Sequence, residues 1–415
     1  MRRPVAEVIA QVLGQIPIAV DAYDGSKAGV RDADVRLVLR SPKALSYLLT
    51  APGQLGLARA YVAGELDIEG EIYTALSLLW GEHVGELSWA ARLDLLRNID
   101  PQAFRWVDPP AEEYGARRLT QGLRHSKSRD AVAISHHYDV SNTFYEWVLG
   151  PSMTYTCACY PTGDASLEEA QAHKYDLVCR KLGLEPGMRL LDVGCGWGGM
   201  VMHAVEHYGV QALGVTLSRK QAEWAAKTIA DRGLNGQAEV LHSDYRDVAE
   251  SGFDAISSIG LPEHIGLKQL PAYFHFLHYK LRPQGRLLNH SITRPTTTQK
   301  ARTEGFIDRY VFPDGEIPAV GTIVSAMQNQ GFEIRHAESL REHYARTLTG
   351  WCDNLDAHWD DAVAEVGKGR ARVWALYMAG SRLGFERRTI ELHQVLGVRT
   401  GDGDAGMPLR PDWGV

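Results

Sequence analysis

Short apolar runs alternate with stretches of helical period from about residue 170 onward. Arg189–Val193, Gln211–Leu217, Ala238–Ser243, Asp254–Ile259 and Gly285–Ile292 each read as a strand, and Glu333–Ala337 as a weaker one. Met200–His207 reads as a helix, and Ser218 as the cap of the helix after the second strand. Strand–helix alternation of this kind predicts βαβ units and a mainly parallel sheet with helices on both faces. Residues 341–395 carry a largely helical pattern, and the glycine- and proline-bearing tail after Leu396 reads as irregular. The first 105 residues differ. Val35–Leu39 alternates like a half-buried strand, while Ala58–Val62 and Tyr73–Trp80 look helical. Asp108-Pro109-Pro110 breaks any helix and marks a boundary. The expected order is a smaller α+β accessory domain (1–108), a linker (109–130), an α/β domain with a helical lid (131–396) and a tail (397–415).

The richest segment is Leu190-Leu-Asp-Val-Gly-Cys-Gly-Trp-Gly-Gly199, a strand running into a glycine turn and then a helix. Such a turn lets backbone approach a ligand and aims free helix N–H groups at it. Gly194, Gly196 and Gly199 also satisfy G-x-G-x-x-G, the dinucleotide pattern. That pattern wants an acid about 20 residues on, for the ribose hydroxyls. The second strand instead ends Gly214-Val-Thr216, with no acid. Asp192 stands before the first glycine, at the strand end, as in S-adenosylmethionine (SAM) sites. SAM is therefore the expected cofactor, ahead of NAD.

Bulk properties narrow the class. At 415 residues two domains are natural, and a net charge of −7 argues against a general nucleic-acid binder. No apolar run approaches the roughly 18 residues of a membrane span. Glu7, Gln11 and Gln15 interrupt the apolar stretch behind Arg2-Arg3, so no signal peptide is expected. Cysteines 157, 159, 179, 195 and 352 are odd in number and lack paired zinc spacing, which reads as reduced thiols in a cytoplasmic protein. Residues 115–129 hold Arg117, Arg118, Arg124, Lys127 and Arg129 and no acid. Two readings stay open for them: a solvated linker, or a contact for anionic lipid headgroups.

Further segments are His137-Tyr-Asp-Val-Ser-Asn142, Met153-Thr-Tyr-Thr-Cys-Ala158, Glu263-His-Ile-Gly266 and Tyr310-Val-Phe-Pro-Asp-Gly315. In order and spacing with the glycine turn and Gly214–Ser218, they resemble the cyclopropane-fatty-acyl-phospholipid synthases, SAM-dependent lipid methyltransferases. The dense match runs from about 136 to 350; Tyr61-Val-Ala-Gly-Glu65 extends it more weakly into the first domain. The resemblance implies a class I SAM-dependent methyltransferase fold. It implies a cofactor site in which Tyr155 and Thr156 close over the methionine part, and Asp192, Gly194 and Gly196 hold its amino and carboxylate groups. Thr216 and Gln221 take the place of the ribose-binding acid, and Asp244 and Tyr245 lie near the adenine. Plainer roles stand beside two of these: Gln221 completes a capping box with Ser218, and Tyr245 packs.

An isolated alkene has no acidic proton and must attack the sulfonium methyl directly. The resulting carbocation needs a base, in a site that excludes water. The resemblance implies bound bicarbonate as that base, held by Cys157, Glu263, His290, the backbone of Ile292, and Tyr344. Aromatic rings can stabilise the positive charge. Tyr138 and Tyr155 are the expected ones, with Phe144 and Tyr310 as further candidates. Glu263-His264 lacks the H-E-x-x-H spacing, so no zinc is expected. Pro262, Asn289 and Cys352 depart from the family pattern and bear on the acyl pocket. The expected reaction is cyclopropane formation on unsaturated acyl chains of phospholipids. The alternatives are a methyl or methylene branch on the same chains, N-methylation of a small amine, or SAM binding without catalysis. A peripheral position at the inner membrane face and a homodimer complete the expectation.

Overall fold

The computed structural model describes residues 3–51, 53–79, 105–114, 141–301, 303 and 305–414. Trp80, the basic run at 115–129 and Tyr138 lie outside the described residues. The chain divides into two units. One comprises Met1–Ala116, Glu304–Val311 and Trp359–Leu383; the other comprises Arg117–Thr303, Phe312–His358 and Gly384–Val415.

In the first unit, β1 (Ala19–Ala22), β2 (Lys27–Gly29), β3 (Arg36–Leu39) and β4 (Leu66–Glu69) form a sheet ordered β2-β1-β3-β4. The central pair β1–β3 is parallel and the outer pairs are antiparallel. Leu37 and Leu39 of β3 join Ile18, Val20, Val35, Leu45 and Tyr47 in one core. Two later segments that the sequence pattern assigned to the α/β domain belong here instead, because their polar side chains are used here. Arg372, 3% exposed, donates to the Tyr61 carbonyl at 2.6 Å and to Asp67 Oδ1 at 2.8 Å. Tyr310 donates from its hydroxyl to Glu113 Oε2 at 3.1 Å, and Arg59 binds both Glu113 oxygens at 2.7 Å. The Tyr61–Glu65 and Tyr310 motifs are thus parts of this unit's polar framework, and Tyr310 is occupied there.

The second unit holds β5 (Arg189–Val193), β6 (Gln211–Thr216), β7 (Ala238–His242), β8 (Phe253–Ile259), β9 (Leu281–Thr293), β10 (Phe332–Ser339) and β11 (Glu391–Arg399). Their order is β10-β11-β9-β8-β5-β6-β7. Every neighbouring pair from β9 through β7 is parallel, and β11 runs antiparallel to both of its neighbours. This is the class I methyltransferase architecture. Sequence reading missed β11, which the pattern gave to helix and tail. Its residues are buried on both faces, so no alternation marks it as a strand.

Period-two alternation sorts neighbours to opposite sides of this sheet. Leu190, Leu288 and Leu396 pack on one side with Val201 and Ala204; Leu191, Leu287 and Val395 pack on the other with Phe274 and Leu277. The helix Leu167–Leu182 begins with a complete capping box, Ser166 with Glu169, and ends at left-handed Gly183. Strongly fixed at both ends, it buries Lys174 and Lys181 completely.

Candidate active site

Strand order reverses between β5 and β8, and the crevice at their carboxyl ends is where open α/β sheets take ligands. Asp192 stands one residue before the end of β5 there, directly opposite Ser257 of β8, whose hydroxyl donates to its Oδ1 at 2.6 Å. Burial holds the Asp192 carboxyl up at about 6, although the Ser257 bond and the Lys174 ammonium both pull it down. A carboxylate in this state gains ionisation when a cation comes beside it. The ammonium and sulfonium of SAM suit that environment.

The glycine turn then crosses over β6. Gly194 and Gly196 have φ of 75° and 55°, and the N–H groups of Gly194 and Cys195 both donate to the Val215 carbonyl. Gly199 serves packing: a Cβ there would lie 2.3 Å from the Tyr175 hydroxyl, itself 2.7 Å from Thr154 Oγ1. At the end of β6, Thr216 donates to Gln221 Oε1 at 2.7 Å. Ser218 caps the next helix by accepting from the Gln221 N–H, but the Gln221 side chain turns to Thr216 rather than closing the box. Thr216 and Gln221 therefore form one polar edge. Asp244, after β7, is held by Arg246 through both carboxylate oxygens, at 2.7 and 2.5 Å. Tyr245 packs edge-on against Tyr273 and Phe276.

Tyr155 and Thr156 lie on a loop tied to the helix Arg341–Ala357. The Ala158 N–H donates to Thr347 Oγ1 and the Tyr160 N–H to His343 Nδ1, both at 3.0 Å. His343 and Thr347 are four residues apart, hence on one helix face. Lys174 donates to Thr156 Oγ1 at 3.2 Å, and burial draws its pKa down to about 7. Tyr155 joins a row of rings. Trp197 of the glycine turn meets Tyr145 at 4.8 Å; Tyr145 meets Tyr155 at 5.9 Å; Tyr155 meets Trp351 at 5.3 Å; Trp351 meets Tyr344 at 6.0 Å. The row links the expected cofactor end to Tyr344.

The five residues expected around the base are joined by short links. Glu263 sits on the turn of helix Pro262–Ile265, where Pro262 suits the first position. Its Oε1 accepts from the Ile292 N–H at 2.6 Å, while Oε2 is buried with no partner among the described residues. The N–H of Ile292, whose backbone was expected at the anion, thus holds Glu263. Burial pushes Glu263 up to about 7, against the Ile292 bond. His290 lies two residues before Ile292 on β9, 1% exposed, with Nε2 also unpartnered among the described residues. Burial, then the charges of Lys174 and Lys181, push its pKa well down. Ile292 stands opposite Leu392, whose carbonyl accepts from the Leu340 N–H. The Leu340 carbonyl accepts from the Tyr344 N–H and, at 3.7 Å, from the Cys157 thiol. Cys157 also donates to the Ala158 carbonyl, and burial raises its pKa well above the ordinary range, so it acts as a thiol. Asn289 projects to the face opposite His290 and donates to Ser291 Oγ, which separates this departure from the His290 side chain.

Sequence reasoning missed Ser257, Lys174, Lys181 and Gln394. A signal existed for the lysines, since positions 174 and 181 fall on the buried stripe with Ala170, Leu177 and Val178.

Residues 125–395 match the family model described as mycolic acid cyclopropane synthetase. The chain belongs to that family. It is a SAM-dependent methyltransferase, and lipids are the class of substrate. A probable fatty acid methyltransferase of Mycobacterium tuberculosis is 54% identical, covering 99% of each chain. The solved cyclopropane synthase MmaA2 from Mycobacterium tuberculosis has a TM-score of 0.62 at 34% identity, over 65% of this chain and 98% of its own. The mycolic acid cyclopropane synthase CmaA1, solved complexed with SAH and CTAB, has a TM-score of 0.60 at 33% identity, over 65% of this chain and 98% of its own.

Two outcomes follow from this geometry. Gly199→Ala forces the Tyr175 ring to move and lowers stability by about 1 to 3 kcal/mol, measured by urea unfolding. Glu263 binds its proton more tightly folded than unfolded, so its stabilising contribution is present below pH 4.5 and is lost as pH rises to about 7. Glu263→Gln therefore gains stability relative to the parent across that window, by on the order of 3 kcal/mol. Paired unfolding curves at pH 5 and 7.5 with an unchanged difference would contradict this.

Proposed function

We propose that this enzyme adds a methylene across the cis double bond of unsaturated acyl chains in phospholipids, forming a cyclopropane. The single observation that carries the reading is the pair of buried polar atoms without a partner among the described residues, Glu263 Oε2, on the side chain bonded to Ile292 of β9, and Nε2 of His290 on the same strand. SAM supplies the electrophilic methyl. The residues of this chain then hold the acyl carbons away from water, face the developing cation with aromatic rings such as Tyr155, and provide for loss of a proton from the new methyl.

Bicarbonate is the proposed base, and the donor chemistry suits an anion. With its pKa near 7 Glu263 carries a proton part of the time and can donate from Oε2, and neutral His290 can donate from Nε2. Glu263, His290 and Tyr344 would hold it, with Cys157 contributing backbone, and it would supply a proton acceptor beside the new methyl. The relative named as a probable fatty acid methyltransferase favours a second reading, a methyl or methylene branch on the same chains, set by loss of a different proton. On either reading the protein works peripherally at the inner membrane face. The basic run 117–129 supports contact with anionic headgroups. A homodimer would double that contact.

Incubation with SAM and dioleoyl phospholipid vesicles, followed by mass spectrometry and ozonolysis, tests the reading. We expect an acyl chain heavier than oleoyl by one CH₂ that resists ozone, and Glu263→Gln to bind SAM yet turn over about 10² to 10⁴ times more slowly. An ozone-sensitive product of the same mass supports branching instead. No mass gain despite SAM binding overturns both.

A further inference from the structure

A line of buried polar side chains ends at His290, and its chemistry assigns every proton along it. Lys181 has no exposed surface; it ion-pairs with Glu338 and donates to Gln394 Oε1 at 2.6 Å. Gln394, fully buried on β11, stands directly opposite His290 in the strand register, with Nε2 3.2 Å from His290 Nδ1. An ammonium offers only protons, so the amide atom facing Lys181 is the oxygen. The atom facing His290 is then the amide nitrogen, which donates and cannot accept. His290 Nδ1 must therefore be the acceptor, and the single proton of the neutral ring sits on Nε2. That is the ring nitrogen left without a partner among the described residues.

We propose that Lys181 and Gln394 are positioning residues that lock His290 in its Nε2–H tautomer, so that it meets the reacting centre as a neutral hydrogen-bond donor and not as the base. This role rests on the proposed lipid chemistry; the tautomer itself rests only on the hydrogen-bond line. The low pKa of buried His290 agrees with a ring that stays neutral, which leaves proton acceptance to the anion proposed above. At Lys181, burial draws the pKa down while the Glu338 hydrogen bond draws it up, so the ion pair maintains the donor that orients Gln394.

NMR of the full chain labelled with [¹⁵N]histidine reads the tautomer without any turnover; the His290 signals are those lost in His290→Asn. We expect protonated Nε2 and unprotonated Nδ1 at neutral pH. In Gln394→Glu a carboxylate accepts where the amide donated, so the proton moves to Nδ1 and the two nitrogen shifts exchange. With oleoyl phospholipid as substrate, kcat of that variant falls on the order of 10²-fold while KM changes little. Lys181→Met, which removes the orienting donor, gives a mixture of the two tautomers. An Nδ1–H ring in the parent protein overturns the proposal whatever the variants do, as does an unchanged tautomer in folded Gln394→Glu. The expected tautomers without any lipid methylation leave the lock standing and count against the proposed function alone.

Discussion

A carboxyl group buried with only half of its hydrogen-bonding capacity met is the constraint on which this site depends. Glu263 has one oxygen on the Ile292 N–H and the other without a partner among the described residues. Such a group resists ionisation, and in return it exchanges its proton near neutrality. The fold tolerates the cost because the surroundings are rigid. Ile292 belongs to a thirteen-residue strand paired on both sides, and Pro262 starts the short helix that presents Glu263. The same principle recurs along the edge of the sheet. Asp192 is held up by burial and Lys174 is held down by it, and each favours the charged state of the other.

The two units use buried charge differently. In the first, Arg59 with Glu113 and Arg372 with Asp67 are closely bonded pairs that fix chain segments far apart in sequence. Breaking one partner of such a pair strands the other. In the second, Glu263 Oε2 and His290 Nε2 are left unmatched among the described residues, which is what a reactive site requires. Tyr310 illustrates the difference, since its ring was a further candidate for facing positive charge while its hydroxyl is used by Glu113.

The parallel half of the sheet was legible because its strands carry apolar runs that alternate with helices of clear period. Asp192 and the glycine turn were legible because turn chemistry and a strand-end acid are local features. β11 was not, because a strand buried on both faces loses its alternation, and it follows directly on a long helix. Gln394 was lost with it, since its partner His290 is reached only through strand register. Lys174 and Lys181 drew no notice in the sequence, although their spacing places them among core positions. The segment Trp359–Leu383 was assigned to the wrong unit because helical period shows that a face is buried but not against which core. Tyr138 and the basic run 115–129 fall outside the described residues.

The most direct test of the account is the protonation of Glu263 itself. Infrared difference spectra between the parent protein and Glu263→Gln, recorded across pH, isolate the carbonyl stretch of one protonated carboxyl group. The account predicts a band that persists through mildly acidic pH and disappears with a midpoint of about 7. A band that vanishes with a midpoint near 4.5, the ordinary value for glutamate, would mean that Glu263 is an unexceptional carboxylate and would contradict the site described above.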